Sequence, residues 1–247
     1  MGLGTISCFK LSLLEISEDP FARLDYDYFA NLDAFKRQFS KSFKFKKLRD
    51  AVTTIETGEP VDRTDYALAE TEYVHIVPRD IKGGVLDITD PIYLKPEKGD
   101  RLSEFKLVEN DVLIAISSNC GDSAVFVSPS LDTQYTISHY MVRVKVNPKL
   151  YDPHFLAYYL NHPKIKTYFR AIEAGKTQQN LSKVYLRNFP VVDLPLEDQQ
   201  SLVKTISARF EQVSAKLREI KTLEDESKQL IWNSVLREGK SKTHTNE

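Results

Sequence analysis

The stretch that most constrains the fold is 197–238, which contains neither proline nor glycine. Apolar residues recur through it at spacings of three and four, which predicts one long amphipathic helix. Glu197 and Asp198 fall in the first turn, where the positive helix end favours acids, and Gly239 follows where a C-terminal cap belongs. Such a helix is roughly 60 Å long, more than a domain of this size can cover along its whole length.

The apolar stripe of this helix therefore needs a partner, most simply a second copy of the same chain. The expected interface consists of Leu202, Ile206, Phe210, Val213, Leu217, Ile220, Leu223, Leu230 and Ile231. Their spacing is close to a heptad repeat, the pattern of coiled coils. A helix that folds back on its own domain is the alternative reading of the same pattern.

The rest of the chain divides into two zones. Residues 1–57 are expected to be helical, because Tyr28, Leu32, Phe35 and Phe39 fall on one helical face and a similar spacing recurs in 48–55. Residues 58–195 are expected to be rich in strands, with β-branched runs such as YVHIV, DVLIAI and YMVRVKV between turn signals. A helix starting near Pro153 interrupts the strands, and FPVVDLP closes the zone. The predicted fold class is α+β: one domain (1–195), the helix (196–239) and a disordered tail (240–247).

Composition excludes several classes of protein. The net charge is −1, and basic residues concentrate in 36–49 and 164–187, two stretches that could follow a phosphate backbone or form solvated faces. The two cysteines and five histidines show no metal-ligand spacing. No apolar run is long enough for a membrane span and no secretion signal is present, so a cytoplasmic protein is expected.

The segment AGKTQQN (174–180) contains the Gly-Lys-Thr that ends a phosphate-binding P-loop. A P-loop also requires a glycine five residues before Gly175 and a preceding strand; Arg170 occupies that position, after a helical pattern. No nucleophile elbow or dinucleotide loop is present, so no enzymatic activity is predicted. The amides of Gln178 and Gln179 and the ammonium of Lys176 match groups that read base edges, although an ordinary turn explains them equally well.

Several segments in this order resemble the specificity subunit of a type I restriction–modification system. The order is RLDYDYF, TGEP, YVHIVPRDIKGG, LVENDVLIAISSNCGDSAVF, YDPHFLAYYL, then GKTQQNLSKVYLRNFPVVDLPLEDQQ and the long helix. The resemblance implies a target-recognition domain followed by a conserved helix. Family members usually carry two such domains and two antiparallel helices in one chain, so this sequence resembles half of a specificity subunit.

The resemblance implies binding to double-stranded DNA and assembly with methyltransferase and restriction subunits. S-adenosylmethionine and ATP are expected only on those partners, and no cofactor on this chain. Pairing of two copies through an antiparallel coiled coil would rebuild the two-domain form, with each copy reading one half of a bipartite target. A coiled-coil interaction scaffold without DNA binding is the alternative.

Candidate DNA contacts follow from side-chain chemistry and loop position, because the resemblance does not name base-contacting residues. The candidates for reading bases are Lys176, Gln178, Gln179, Arg79, Lys82, Ser117, Ser118, Asn119, Arg63 and Tyr66. Lys44, Lys46 and Lys47 are expected to contact phosphates, which position a protein on DNA without specifying sequence.

Overall fold

The computed structural model describes residues 44–173 and 183–243, with side-chain surroundings for 44–169, 183–209 and 211–234. The described chain is a mixed α/β domain followed by one long helix, which agrees with the predicted α+β class. The expected helix through Tyr28, Leu32, Phe35 and Phe39 lies outside the described residues.

The strands are β1 (Phe45–Lys47), β2 (Val52–Thr57), β3 (Tyr73–Ile76), β4 (Ile81–Lys82), β5 (Val85–Leu86), β6 (Ile92–Tyr93), β7 (Val112–Ala115), β8 (Ser123–Val125), β9 (Gln134–Ile137), β10 (Met141–Val146) and β11 (Pro190–Val192). The helices are α1 (Pro96–Leu102), α2 (Pro153–Asn161), α3 (Pro163–Glu173), α4 (Lys183–Asn188) and α5 (Leu196–Thr243).

The main sheet is antiparallel, in the order β2-β10-β7-β8. In its central strand β10, side chains alternate between the two faces, as strand geometry requires. Val142 and Val144 belong to a core that also holds Leu156 of α2 and Phe169 of α3. Met141 points to the opposite face and joins a second core. The sheet is therefore covered on both sides.

A smaller sheet, in the order β6-β3-β9, packs on the second face. Its strands β3 and β9 run parallel, with Ile76 opposite Ile137. Helix α1 closes the start of β3, where Gly99 approaches the Tyr73 ring so closely that a Cβ would lie 2.1 Å from it. The Tyr73 hydroxyl donates a hydrogen bond to Asp100 at 2.6 Å, which fixes this end of the domain.

Strand β1 pairs with β11 in a separate two-stranded sheet beside α2. The hydroxyls of Tyr151 and Tyr159 donate to the carbonyls of Val192 and Pro190, each at 2.9 Å. The strand just before α5 is thus bonded to the residues at both ends of α2.

Three predictions about local structure are wrong. Residues 52–57 form a strand, because the β-branched run pairs with β10; the spacing of Val52 and Ile55 also fits a helix. Residues 96–99, whose proline and glycine are one of the turn signals expected between strands, instead form the start of α1, where Pro96 occupies the first helical position. Gly239 does not end α5, which continues to Thr243, because one glycine inside a helix costs only about 1 kcal/mol. Residues 240–243 are therefore helical, and 244–247 lie outside the described residues.

Helix α5 begins at Leu196 and runs along its own domain, where it contacts α2 and β5. Its Val213 lies 3.5 Å from the place where a Cβ on Gly83 would be. Of the predicted interface, Ile206 and Leu217 are half-buried by this contact, and the Phe210 side chain lies outside the described ones. The other predicted residues are exposed: Leu202, Val213, Ile220, Leu223, Leu230 and Ile231. The helix therefore packs partly on its own domain and leaves much of the stripe open.

Candidate nucleic-acid interface

One edge of the domain collects the ends of five strands. Strands β2, β7, β3 and β9 end there, and β10 begins there, as their pairing directions require. Backbone hydrogen bonds connect the loops: the amide of Ile116 donates to Tyr140 at 2.9 Å, and that of Ser138 donates to Ile76 at 2.9 Å. We call the three loop segments at this edge, 77–79, 117–119 and 138–140, the strand-end surface.

The loop after β7 has a specific backbone shape. Ser118 has a φ of 63° and Gly121 a φ of 85°, both in the left-handed region. A Cβ on Gly121 would lie 2.4 Å from the ring of Phe169 in α3. Only glycine satisfies both the conformation and the close approach. The loop is therefore pressed against α3, with Ser117 half-buried and with Ser118 and Asn119 exposed at its tip.

Side chains from α2 and α3 fasten the same loop. Asn161 accepts from the Ser123 amide at 3.3 Å and donates to the Ser123 carbonyl at 2.6 Å. Lys166 forms an ion pair and hydrogen bond with Asp122. Because both ends of these links are half-buried or buried, water competes with them less than at an exposed site. The loop is held in one conformation before any ligand arrives.

The strand-end surface offers mixed hydrogen-bonding groups. Ser118 supplies a hydroxyl, Asn119 a donor and an acceptor on one amide, and Arg79 a planar cation, the groups that proteins use on base edges and phosphates. Tyr140 is 43% exposed, and its ring lies 3.8 Å from that of His139 between centroids. Neither Tyr140 nor His139 is among the contacts predicted from the sequence; the signal for them is an aromatic pair directly between two strands.

Arg79 and Lys82 are neighbours in sequence but differ in surroundings. Arg79 is exposed, with its Nε 3.8 Å from Asp80. Burial raises the pKa of Asp80 to about 6, although the carboxylate accepts a hydrogen bond from the Val77 amide. Lys82 donates to Asp87 at 2.8 Å, and this hydrogen bond raises the pKa of Lys82. Because Asp87 already neutralises Lys82, Arg79 is the better candidate for contact with an anion.

Two predicted contact residues lie elsewhere. Tyr66 bridges to Leu94, beside the start of β3, and Arg63 belongs to the same turn, Arg63–Asp65. The strand-end surface lies at the opposite end of β3, so the structure does not bring this pair to it. Tyr66 is half-buried and packs against the small cluster that includes Leu94. The sequence placed both residues in a loop but could not show at which end of the sheet that loop lies.

The predicted phosphate contacts divide between exposed and paired lysines. Lys46 binds Asp193 at 2.7 Å and lies 5.7 Å from the centre of the Tyr151 ring. Lys44 and Lys47 are exposed at the ends of this strand region. Lys46 therefore has a structural partner within the domain, whereas Lys44 and Lys47 remain available for an external anion. The remaining candidates, Lys176, Gln178 and Gln179, lie outside the described residues.

The part of the chain that the structure describes contains no group of three His, Cys, Asp or Glu residues placed to hold a metal ion. Among the described helices, none is both long and apolar enough to span a membrane.

Comparison with known proteins decides the family. The profile of the type I restriction modification DNA specificity domain matches residues 40–225, which includes the whole domain described above and most of α5. The chain belongs to this family. Family membership confirms the resemblance seen in the sequence. Because the specificity subunits of type I systems are not catalytic, it also agrees with the prediction that this chain has no enzymatic activity.

The relatives of this specificity domain are distant and longer. A protein named as the type I restriction enzyme MjaX specificity subunit, from Methanocaldococcus jannaschii, is 21% identical over 178 residues, 69% of this chain and 40% of that protein. The HsdS subunit from Thermoanaerobacter tengcongensis superposes with a TM-score of 0.50 at 16% identity, over 76% of this chain and 45% of that one.

A further structure comes from work on complex assembly and conformational transition of the type I R-M system. It superposes with a TM-score of 0.52 at 18% identity, over 82% of this chain and 50% of that chain. At these identities the similarity shows a shared fold. The chain spans half or less of the length of each of these three relatives.

Proposed function

We propose that this specificity domain reads one half of a bipartite DNA target and directs methyltransferase and restriction subunits of a type I system to it. The observation that carries the proposal is the strand-end surface of a chain in this family. There, Arg79, Ser118 and Asn119 are exposed on loops with a fixed backbone. Preorganised loops lose little conformational freedom on binding, which favours selective contacts.

The chain supplies recognition in this proposal, and its partners supply the chemistry. S-adenosylmethionine and ATP belong on the methyltransferase and restriction subunits, and no cofactor on this chain. A second copy joins through α5, so that two domains read two half-sites related by a two-fold axis. The net charge of −1 makes local basic groups, rather than overall charge, responsible for the attraction to phosphates.

The first experiment identifies the target and then tests the surface. Purified protein, alone and with its methyltransferase partner, is used to select sequences from a randomised duplex library. Affinity for the selected duplex is then measured for Arg79→Ala, Asn119→Ala and the control Arg101→Ala. Arg101 is also an exposed arginine, but it lies on α1 beside the start of β3.

Arg79→Ala and Asn119→Ala are expected to weaken specific binding by about tenfold or more, in line with about 1–3 kcal/mol for a good base contact. If Arg79 contacts a phosphate instead, its loss should reduce by about one the slope of log affinity against log salt concentration, and it should weaken binding to all DNA sequences alike. Arg101→Ala should bind like the wild type. Equal affinity in all four proteins contradicts the assignment of the strand-end surface.

A coiled-coil interaction scaffold is the second candidate function. The exposed apolar residues of α5 favour it, since Leu230 and Ile231 are 69% and 68% exposed in the single chain. This candidate predicts that no duplex is enriched in the selection, with or without the methyltransferase, while α5 still binds a protein partner.

A further inference from the structure

Helix α5 carries two stripes: its own domain covers one of them and touches the other only at Ile206, which is half-buried, and at Val213, beside Gly83. The covered stripe includes Val203, Ser214 and Lys221, which are half-buried in the single chain. The residue before each of these is apolar and exposed, namely Leu202 (47%), Val213 (36%) and Ile220 (52%). Because successive helical residues are about 100° apart, the exposed stripe is turned by about that angle from the domain. A second helix can therefore reach it while the domain stays in place.

The exposed stripe has a strict alternation of four- and three-residue steps. Its positions are Leu202, Ile206, Arg209, Val213, Lys216, Ile220, Leu223, Ser227, Leu230 and Ser234. This alternation is the seam of a heptad repeat. The register differs from the one predicted from sequence, which included Phe210 and Leu217. The steps from Leu217 to Ile220 and from Ile220 to Leu223 are both three residues, which breaks the alternation, and Leu217 is half-buried.

The central part of the seam has the same order of apolar, polar and apolar positions in both directions from the bond between Lys221 and Thr222. Ile220 and Leu223 are the nearest pair, Lys216 and Ser227 the next, and Val213 and Leu230 the third. Large apolar residues are thus equidistant from large apolar residues, and the lysine is equidistant from a serine. A two-fold axis perpendicular to the helix brings equidistant residues together, since an isologous contact pairs i with j and j with i.

We propose that α5 pairs with α5 of a second copy, antiparallel, about an axis at the Lys221–Thr222 bond. This inference rests on the pairing of two copies in the proposed function and adds its register. Val213 then packs on Leu230 of the second copy, and Ile220 packs on Leu223 of the second copy. Because these residues are between 36% and 55% exposed, with Leu230 at 69%, each gains burial from the pairing.

Charge also favours this partner and this orientation. Lys216 meets the small Ser227 of the second copy, and Glu226 of the second copy, next in sequence, offers an opposite charge to the ammonium. In a parallel pair in register, Lys216 would face Lys216 of the second copy, and like charges oppose the contact. An antiparallel shift by one heptad toward the helix start would instead place Lys216 against Ile220.

The register also determines where the two domains lie. Each domain packs on its own helix around Val203, in its core region, and around Val213, beside Gly83. An antiparallel pair about Lys221 therefore sets the domains toward opposite ends of the coiled coil. The two strand-end surfaces are then related by a two-fold axis, which matches inverted half-sites.

The test uses opposite charges placed at one predicted contact. Val213→Lys and Leu230→Glu are made separately in the full chain, and dimer dissociation constants are measured by sedimentation for each protein and for a 1:1 mixture. Each variant alone is expected to dissociate about tenfold or more readily than the wild type, because a charge enters an apolar layer. In the mixture, the lysine introduced at position 213 of one copy meets the glutamate introduced at position 230 of the other. The other contact between positions 213 and 230 in the mixed dimer keeps its wild-type valine and leucine, so mixed dimers are expected to predominate.

The matched control mixes Val213→Lys with Leu202→Glu, which alters the same exposed stripe at a position that does not face Val213 in this register. This mixture is expected to form mixed dimers no better than chance. If the control mixture and the test mixture behave alike, the register is wrong. A wild-type protein that remains monomeric at every concentration overturns the pairing itself.

DNA affinity of the same proteins separates these outcomes from the proposed function. The substitutions on α5 lie outside the strand-end surface, so binding to a single half-site is expected to persist. Loss of pairing with retained half-site binding refutes the register or the second copy and leaves recognition standing. Retained pairing without DNA binding refutes recognition and leaves the register standing.

Discussion

Replacement of Gln199 tests how the long helix is attached to the recognition domain. Its side chain is fully buried in the first turns of α5. The amide oxygen accepts from the Asp152 N–H at 2.9 Å, and the amide nitrogen donates to the carbonyls of Leu150 at 3.0 Å and Leu194 at 2.7 Å. One side chain thus joins the helix start, the preceding strand segment and the start of α2.

Gln199→Leu keeps a similar volume and removes all three hydrogen bonds. Each bond contributes about 0.5–1.5 kcal/mol net, and a buried group left without a partner costs about 1–3 kcal/mol. The added apolar burial offsets part of this loss. We expect the free energy of unfolding to fall by about 2–4 kcal/mol, measured by denaturant titration.

The neighbouring Gln200 is the matched control, because it has the same side chain but is exposed. Gln200→Leu should change the free energy of unfolding by less than about 0.5 kcal/mol. Gln199→Glu keeps an acceptor, loses both donors and buries a carboxyl, so its destabilisation should grow as pH rises and the carboxyl ionises. A Gln199→Leu protein as stable as Gln200→Leu would refute the assigned role.

Three further predictions concern the domain. Gly121→Ala should lower the free energy of unfolding by about 2 kcal/mol or more by denaturant titration, because the new Cβ meets Phe169 at 2.4 Å and the backbone has a positive φ; unchanged stability would contradict this packing. Arg143→Met should cost about 1–3 kcal/mol in the same assay, because the buried guanidinium binds Glu56 and the Lys106 carbonyl, and Lys145→Met is its control. Burial lowers the pKa of His75 to about 4 from 6.5, so the contribution of neutral His75 to stability is fully present above pH 6.5 and is lost as pH falls toward 4. His75→Gln should lose less stability than the wild type between about pH 7 and 4.5, and equal losses would exclude His75 as the cause.

Local sequence pattern was sufficient for much of this fold. The β-branched runs at 73–77, 111–116 and 140–146 contain β3, β7 and β10, because runs of apolar, β-branched residues suit strands of a sheet that is covered on both faces. The region 197–238 is helical because a period near 3.6 without proline favours a helix in almost any surroundings. The order of several short motifs likewise indicated the family, which the match over residues 40–225 then confirmed.

Tertiary structure decided what depends on a distant partner. The spacing of Val52 and Ile55 fits a helix or a strand, and pairing with β10 selected the strand. The parallel pairing of β3 with β9 brought Arg79 to the same edge as Ser118 and left Arg63 at the other end.

The same distinction applies to α5. Its sequence determined a long amphipathic helix, but contact with α2 and β5 decided which apolar residues the domain covers and which remain exposed. The physical reason is that helix and strand preferences act between residues close in sequence. Burial, pairing direction and the choice of a side chain's neighbours depend on segments that meet only after the chain has folded.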